Sequence, residues 1–374
     1  MRPDSDYTSR ARWFVLRFPI LNYLLTQINF WMVANTLLGI IIYLSNQSLL
    51  ISFSLESTNS IWPNVMIGLI TGFLSGIAFG LMDYFFDKQF FRNMALGKII
   101  VLKATLSIVV VTLVFSLLRF VLFDAIIVRA LYGNVPTIHD RSWRYLFIQI
   151  LVYSFFMSLV INFINQVNKK FGPGVLLPLL LGKYRAPREE ERIFLFMDLK
   201  SSTALAESLG HLQYSEFIRD SLMDVNRVLQ PFNAEVYQYV GDEVVLSWKT
   251  NEGLANLCCV QFFFACEKQF QHKAEYYLKT YGQVPEFKAG LHMGKVTAVE
   301  IGEIKRDIAY HGDTLNTAAR IQSMCNDYQK KFLVSDYFLE RSHLNNYFKI
   351  ETLGMTILKG KTTPVGILSV ESSL

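Results

Sequence analysis

Two aspartates, each next to a run of apolar residues, have the clearest chemical potential in this sequence. Asp198 ends the run RIFLFMD, and Asp242 lies in the Gly-Asp-Glu turn of VYQYVGDEVVLSW. If their strands are neighbours, the two carboxylates converge, and such a pair repels unless divalent cations lie between them. Two Mg²⁺ ions with a nucleoside triphosphate are the usual occupants. The simpler alternatives are a structural hairpin turn for Asp242 and a helix N-cap for Asp198.

The residues after Asp198 favour phosphate binding. The stretch SSTALAESLG places hydroxyl residues where a helix is predicted to begin. Backbone amides in the first turn of a helix have no partner within the helix and attract phosphate oxygens. A strand that ends in a carboxylate and continues into a helix N-terminus therefore predicts adjacent cation and phosphate sites.

A second polar group lies in YHGDTLNTAARI, where a helix is predicted from Asp313. Asn316 and Arg320 are then four residues apart on one face, where they suit a ribose oxygen and the charge that develops in phosphoryl transfer. For an isolated pair, an exposed polar face is the simpler interpretation. Lys359 and Lys361 lie in a predicted turn between strands, where a lysine is either solvated or pairs with a terminal phosphate.

The elements that position these residues fall into an apolar half and a mixed half. The chain has 374 residues, of which 52% are hydrophobic, and a mean hydropathy of +0.28, which is too apolar for a plain soluble protein. Long runs without charge end near Ile164. The predicted organisation is a cytoplasmic N-terminal amphipathic segment (1–27), a four-span transmembrane domain (28–164), a connector (165–190) and a catalytic domain (191–374).

Four apolar segments are long enough to cross a membrane as helices: 28–44, 65–86, 99–123 and 143–164. The loop 45–64 has no Lys or Arg, whereas the segments before the first span, between the second and third, and after the fourth are basic. By the positive-inside rule, this predicts a multi-pass protein of the inner (plasma) membrane, in contact with lipids, with its N-terminus and catalytic domain in the cytoplasm.

Residues inside the spans predict how these helices pack. Gly68, Gly72, Gly76 and Gly80 recur every four residues and so predict a close helix interface, within one chain or across a dimer. Lys103 and Arg119 lie near the ends of the third span and are interpreted as interfacial anchors. An uncharged membrane interior argues against a transporter.

The net charge of +5 does not indicate a nucleic-acid partner. Many of the cations lie just outside the apolar runs, where membrane topology accounts for them. We therefore expect no nucleic-acid binding.

Five motifs together resemble the class III nucleotidyl cyclases, the adenylate and guanylate cyclase catalytic domain. They are FMDLKSST, YVGDEVV, GLHMGKV, HGDTLNTAARI and LKGK, in the family's order and approximate spacing. The resemblance covers about residues 191–370 and implies a ferredoxin-like α+β catalytic domain C-terminal to the four-helix transmembrane domain.

The resemblance implies a role for each matching position. Asp198 and Asp242 match the metal-binding aspartates, and Leu199 matches the residue whose backbone carbonyl binds a metal ion. The resemblance implies two such ions, Mg²⁺ or Mn²⁺, in each active site. The positions that match the triphosphate-binding residues are Ser201, Ser202, Thr203 and Lys359. Asn316 matches the residue that orients the ribose, and Arg320 the residue that stabilises the transition state. The family takes the aspartates from one subunit and the Asn and Arg from the other, which implies a homodimer with shared active sites.

The base-reading positions depart from the family's pattern. Gln238 and Ala309 stand where adenylate cyclases usually have a lysine and an Asp or Thr, and where guanylate cyclases tend to have Glu and Cys. Gln238 both donates and accepts hydrogen bonds, so it suits the adenine edge, whereas the Ala309 side chain makes none. The interpretation is an adenylate cyclase acting on ATP, with GTP or a pyrimidine triphosphate as the alternative substrate.

Two other interpretations compete with this one. The GGDEF turn of diguanylate cyclases is similar to VGDEV, but that family has no counterpart of NTAAR. A degenerate cyclase domain that serves as a membrane sensor would have lost a metal aspartate, the Asn or the Arg, and none is lost here.

Overall fold

The computed structural model describes residues 18–55, 60–89, 96–117, 140–171, 182–303, 306–342 and 347–372. The chain divides into two compact units, Met1–Leu177 and Pro178–Leu374. The predicted anchor Arg119, the basic residues before Phe18, most of the third loop and part of the predicted connector lie outside the described residues.

The first unit contains four long helices. They are α1 (Pro19–Ser52), α2 (Trp62–Gln89), α3 (Leu96–Leu117) and α4 (Asp140–Phe171). Each contains a segment long and apolar enough to cross a membrane: Ile20–Ser52, Trp62–Phe85, Gly97–Ser116 and Arg141–Asn168. α1 begins at Pro19, inside the segment predicted to precede the first span.

The glycine stripe of α2 packs against α1 of the same chain. A Cβ added at Gly68 would lie 2.7 Å from Thr36 Cα, and one at Gly72 would lie 2.5 Å from Met32 Cα. Gly76 and Gly80 meet the α1 backbone in the same way, at Ile28 and Leu24. Only a residue without a Cβ permits this approach, so the predicted interface lies within the chain.

The interpretation of Lys103 as an interfacial anchor is wrong. Its side chain is only 3% exposed, and its Nζ lies 2.7 Å from Asp83 Oδ1. Asp83 Oδ2 accepts a hydrogen bond from Gln27, so one buried cluster joins α1, α2 and α3. The apolar pattern of each segment could not reveal a pairing between helices, and a buried lysine requires such a partner.

The second unit contains both strands and helices, which are labelled here in chain order. The elements are β1 (Arg188–Leu199), α5 (Ser202–Val228), β2 (Glu235–Val240), β3 (Glu243–Lys249), α6 (Thr250–Leu254), α7 (Cys258–His272), α8 (Ala274–Tyr281), β4 (Phe287–Ile301), β5 (Asp307–His311), α9 (Asp313–Ser323), β6 (Phe332–Ser335), α10 (Asp336–Ser342), β7 (Lys349–Thr356) and β8 (Val365–Glu371).

The strands form one mixed sheet in the order β2-β3-β1-β4-β6-β8-β7, with β5 also paired to β4. β1 pairs antiparallel with β3 and β4, β2 pairs antiparallel with β3, and β4 pairs parallel with β6. The run β1-α5-β2-β3-α7-β4 with the order β2-β3-β1-β4 is a ferredoxin-like α+β arrangement. The predicted fold is confirmed.

Both faces of this sheet are covered near β1, which explains its continuous apolar sequence. Leu195 faces a core with Phe217 of α5 and Phe262 of α7. Phe194 faces the opposite way, into a smaller cluster with Ala318 of α9.

The approach of α9 to the sheet depends on two glycines of β4. A Cβ at Gly294 would lie 2.6 Å from Thr314 Oγ1, and one at Gly290 would overlap the backbone nitrogen of Gln322. The GLHMG motif thus seats α9 directly on β4.

Candidate active site

The two predicted metal aspartates lie at the same end of neighbouring strands. Asp198 is near the end of β1 and pairs in register with Glu243 of β3. Asp242 precedes Glu243 in the β2–β3 turn, where Gly241 has a φ of +62°. The convergence predicted from the sequence therefore follows from the β1–β3 pairing.

This end of the sheet concentrates negative charge. Asp242 Oδ2 is buried and has no hydrogen-bond partner among the described residues. Burial, followed by the charges of Asp198 and Asp242, raises the pKa of Glu243 to about 7. A buried carboxylate oxygen without a partner is costly unless a cation or a donor reaches it.

Only one carboxylate oxygen of Asp198 has side-chain partners in the described ranges. Its Oδ2 lies 3.3 Å from Gln322 Nε2 and 3.4 Å from Lys288 Nζ. No hydrogen bond or ion pair to Oδ1 is made by the described part of the chain. Asp198 therefore retains one oxygen for a further ligand.

These free oxygens fit a divalent metal. Carboxylate and carbonyl oxygens are the ligands that Mg²⁺ and Mn²⁺ prefer. No group of three or more His, Cys, Asp or Glu in the described ranges is arranged to hold a metal. Asp198 and Asp242, with the adjacent Leu199 carbonyl, are the oxygens that a metal would use.

The predicted phosphate-binding residues lie directly beyond Asp198, at the start of α5. Ser201 adopts the left-handed conformation, with a φ of +56°, and its side chain does not cap the helix. Its carbonyl accepts the amide of Leu205, which begins the helix. Ser202 is half-buried and Thr203 is exposed, so the first turn of α5 is open to an anion beside the carboxylates.

Asn316 and Arg320 lie together on α9, as predicted. Asn316 is exposed, and a Cβ on Gly360 would lie 3.5 Å from Arg320 Nη2. The turn between β7 and β8 therefore approaches Arg320, and it carries both lysines. Lys361 Nζ lies 2.7 Å from Asp313 Oδ2, whereas Lys359 is exposed.

Asp313 is stabilised in its charged form at the start of α9. Burial raises its pKa, but the hydrogen bond and charge of Lys361 outweigh that effect, so the pKa is below its ordinary value. Lys361 thus fixes the β7–β8 turn to the helix that carries Asn316 and Arg320.

The two base-reading positions lie on separate strands. Gln238 is exposed on β2 just after a bulge, and Ala309 is buried on β5, opposite Val299. Their sequence neighbours Tyr237 and Tyr310 have ring centroids 5.1 Å apart, so the two strands approach each other.

The carboxylates and the Asn–Arg pair remain separate within one chain. In the described ranges, no hydrogen bond or ion pair connects Asp198 or Asp242 with Asn316 or Arg320. The residue of α9 that reaches Asp198 is Gln322. We call Asp198 and Asp242 the carboxylate half and the residues Asn316 and Arg320 the α9 half.

Residues 185–368 match the family model of the Adenylate and Guanylate cyclase catalytic domain. The second unit therefore belongs to the class III cyclase family. The family assignment agrees with the motifs and with the fold of the sheet.

Curated relatives and solved structures are also similar to this cyclase unit. "Adenylate cyclase 2" of Rhizobium meliloti (strain 1021) is 35% identical over 223 residues, which are 60% of this chain and 61% of the relative. "Adenylate cyclase 1" of the same organism is 23% identical over 50% of this chain and 28% of its own length. The matches thus span less than two thirds of either relative.

A solved structure, the adenylyl cyclase CyaB from P. aeruginosa, aligns with a TM-score of 0.44 at 17% identity, over 50% of this chain and 97% of that chain. The guanylate cyclase domain of RhGC from Catenaria anguillulae, in complex with GTP, aligns with a TM-score of 0.42 at 18% identity, over 50% and 98%.

Sequence reasoning missed two residues of this cyclase unit, Lys288 and Gln322, and it missed the ion pair that Lys361 makes with Asp313. Lys288 lies opposite Asp198 in the β1–β4 register, which only the sheet pairing reveals. Gln322 lies two residues after Arg320 and so points to a different side of α9. The sequence offered no local signal for either contact.

Proposed function

We propose that this chain is a membrane-anchored adenylate cyclase that converts ATP to 3′,5′-cyclic AMP and pyrophosphate for intracellular signalling. The observation that carries the proposal is the buried Asp242 Oδ2, which has no hydrogen-bond partner in the described part of the chain and lies next to Asp198 and the open N-terminus of α5. The similarity to "Adenylate cyclase 2" supports the choice of reaction.

Asp198, Asp242 and the Leu199 carbonyl would hold Mg²⁺ or Mn²⁺, two per site. Such cations, when bound, lower the pKa of the ribose 3′ hydroxyl and neutralise triphosphate charge. The amides of Ser201, Ser202 and Thr203 bind phosphate oxygens at the start of α5.

The β7–β8 turn supplies the lysine for the triphosphate. Lys361 is already engaged by Asp313, whereas Lys359 is exposed beside it and pairs with a phosphate. This difference supports the role assigned to Lys359.

Asn316 orients the ribose, and Arg320 neutralises the charge that develops at the α-phosphate. The 3′ oxygen forms a bond to the α-phosphorus as the bond to the β-phosphate oxygen breaks, and pyrophosphate leaves. The 3′ hydroxyl proton passes to water or to the substrate.

The active form is a homodimer in which each site combines the carboxylate half of one chain with the α9 half of the other. The lack of a hydrogen bond or ion pair between the two halves in the described ranges supports this arrangement, because a two-fold axis then creates two equivalent complete sites. Gln238 reads the adenine edge by donating and accepting, and Ala309 lines the base without a hydrogen bond.

In the proposed topology the four apolar helices anchor the protein in the plasma membrane, and the basic segments beside the spans support a cytoplasmic cyclase unit by the positive-inside rule. Membrane lipids are therefore partners of the first unit, and nucleic acid is not a partner of either unit.

The test incubates the purified full-length protein with Mn²⁺ or Mg²⁺ and, in turn, ATP, GTP, CTP and UTP, and identifies products by mass. Cyclic AMP is expected as the main product, with none from an Asp242→Asn control. If no cyclic nucleotide formed from any substrate, the reaction would be refuted. A different main product would refute the choice of ATP alone.

A further inference from the structure

Two donors, from Gln322 and Lys288, contact the same carboxylate oxygen of Asp198, Oδ2. Gln322 Nε2 and Lys288 Nζ lie 3.3 and 3.4 Å from Oδ2. Both donors are well shielded, since the Lys288 side chain is 14% exposed and Gln322 is 6% exposed. The side chain of Asp198 itself is 25% exposed, and Oδ1 makes no hydrogen bond or ion pair with the described residues.

The two donors to Asp198 lie on two different elements of the fold. Lys288 pairs with Asp198 in the β1–β4 register, so its position follows from the sheet. Gln322 comes from α9, and its backbone nitrogen lies where a Cβ on Gly290 would be. The close contact between α9 and β4 is therefore what brings an amide within reach of Asp198.

We propose that Gln322 and Lys288 are positioning residues that hold Asp198 Oδ2 so that Oδ1 is presented to the divalent cation. The inference rests on the proposed function, since it assigns Asp198 as a metal ligand. Groups that orient a metal ligand from behind reduce its rotational freedom, and their loss typically weakens metal affinity about 10–100-fold.

The two donors differ in what their loss would do. Gln322 is neutral, so its removal affects only the orientation of the carboxylate. Lys288 also repels a nearby cation, so its removal relieves repulsion while it loosens the carboxylate. We therefore expect a smaller effect for Lys288→Met than for Gln322→Met.

The test measures Mn²⁺ affinity of the full-length protein by electron paramagnetic resonance, with 3′-deoxy-ATP, which lacks the attacking hydroxyl. Gln322→Met keeps the side-chain volume and removes the donor, and an affinity about 10–100-fold weaker is expected. Gln322→Ala is the second variant, and unfolding temperatures identify any variant that has lost its fold.

The matched control is Gln269→Met. Gln269 Nε2 also lies 3.3 Å from an aspartate oxygen, Asp224 Oδ1, in a cluster joining α5 and α7. Its loss should leave Mn²⁺ affinity within about twofold of the wild type, because Asp224 is held by Lys273 and Arg227 and is not assigned to the metal.

Wild-type affinity in both folded Gln322 variants would overturn the positioning role. The proposed reaction is tested separately on the same wild-type preparation. If it bound Mn²⁺ at least tenfold tighter than Gln322→Met but formed no cyclic nucleotide, the reaction would be refuted and the positioning role supported.

Discussion

Each unit of this protein contains an aspartate that is bound by one lysine and one glutamine, but the two clusters are built differently. In the helical unit, Lys103 binds Asp83 Oδ1 at 2.7 Å and Gln27 binds Oδ2. In the cyclase unit, Lys288 and Gln322 both approach Oδ2 of Asp198, at 3.4 and 3.3 Å. The side chain of Asp83 is 6% exposed, and that of Asp198 is 25% exposed.

The difference indicates a structural role for the Asp83 cluster and supports the ligand-binding role proposed for Asp198. Both oxygens of Asp83 are used inside the protein, so the cluster serves to join three helices. Asp198 has an oxygen left over, and Asp242 beside it has a buried oxygen without a partner in the described ranges. Carboxylate oxygens that lie close together without hydrogen-bond donors destabilise a folded protein, but they are suited to binding a ligand.

The largest expected effect is the loss of activity when the unused acceptors are neutralised. Asp242→Asn should lower cyclase activity by at least about 10³-fold, because metal-assisted charge stabilisation contributes several kcal/mol. The unfolding temperature should stay the same or rise, because a buried unpaired charge is removed. Activity assays and thermal unfolding check both parts.

The corresponding change in the helical unit should act on stability instead. Asp83→Ala leaves Lys103 buried without its carboxylate and should destabilise the helical unit by about 3–5 kcal/mol. Thermal unfolding in detergent measures this. The double variant Asp83→Leu/Lys103→Met should regain most of the loss, and a stable Asp83→Ala protein would contradict the structural role.

A third ionisable group, the partly buried His292, extends the comparison because its pKa is lowered. His292 of β4 is bound at Nδ1 by Ser335, 2.7 Å away, and lies near Lys361, Asp313 and Asp336. Burial, together with the charge of Lys361, lowers the pKa of His292 to about 4, and the two aspartates oppose this only partly.

The stability contribution of His292 therefore depends on pH. The folded state takes up its proton near pH 4, whereas the unfolded chain does so near pH 6.5. The contribution of neutral His292 to the free energy of unfolding should thus be fully present above about pH 6.5. It should fall by up to roughly 3 kcal/mol as the pH falls to 4. Denaturant titrations across this range should show a shallower fall for His292→Asn, and parallel curves would contradict the assignment.

Much of the architecture could be predicted from local patterns. Uncharged runs predicted the four long helices, and the Gly-Asp turn between β-branched strands predicted the β2–β3 hairpin. The glycine stripe predicted a close helix interface, and the structure shows that its partner is α1. The family motifs also placed Asp198, Asp242, Asn316 and Arg320 on the elements where the structure has them.

The contacts that were missed all join residues far apart in sequence. Lys103 reaches Asp83 on another helix, and Gln322 reaches Asp198 across 124 positions. Such pairings depend on strand register and on how closely helices approach, and neither is encoded in the hydropathy of a single segment.

In the proposed homodimer, the carboxylate half of one chain and the α9 half of the other form one active site. Co-expression of Asp242→Asn and Arg320→Ala chains, each with its own affinity tag, tests it after purification through both tags. The mixed dimer has one intact site of two and should show about half of the wild-type activity, while each variant alone is inactive. No activity above that of either variant alone would contradict the claim.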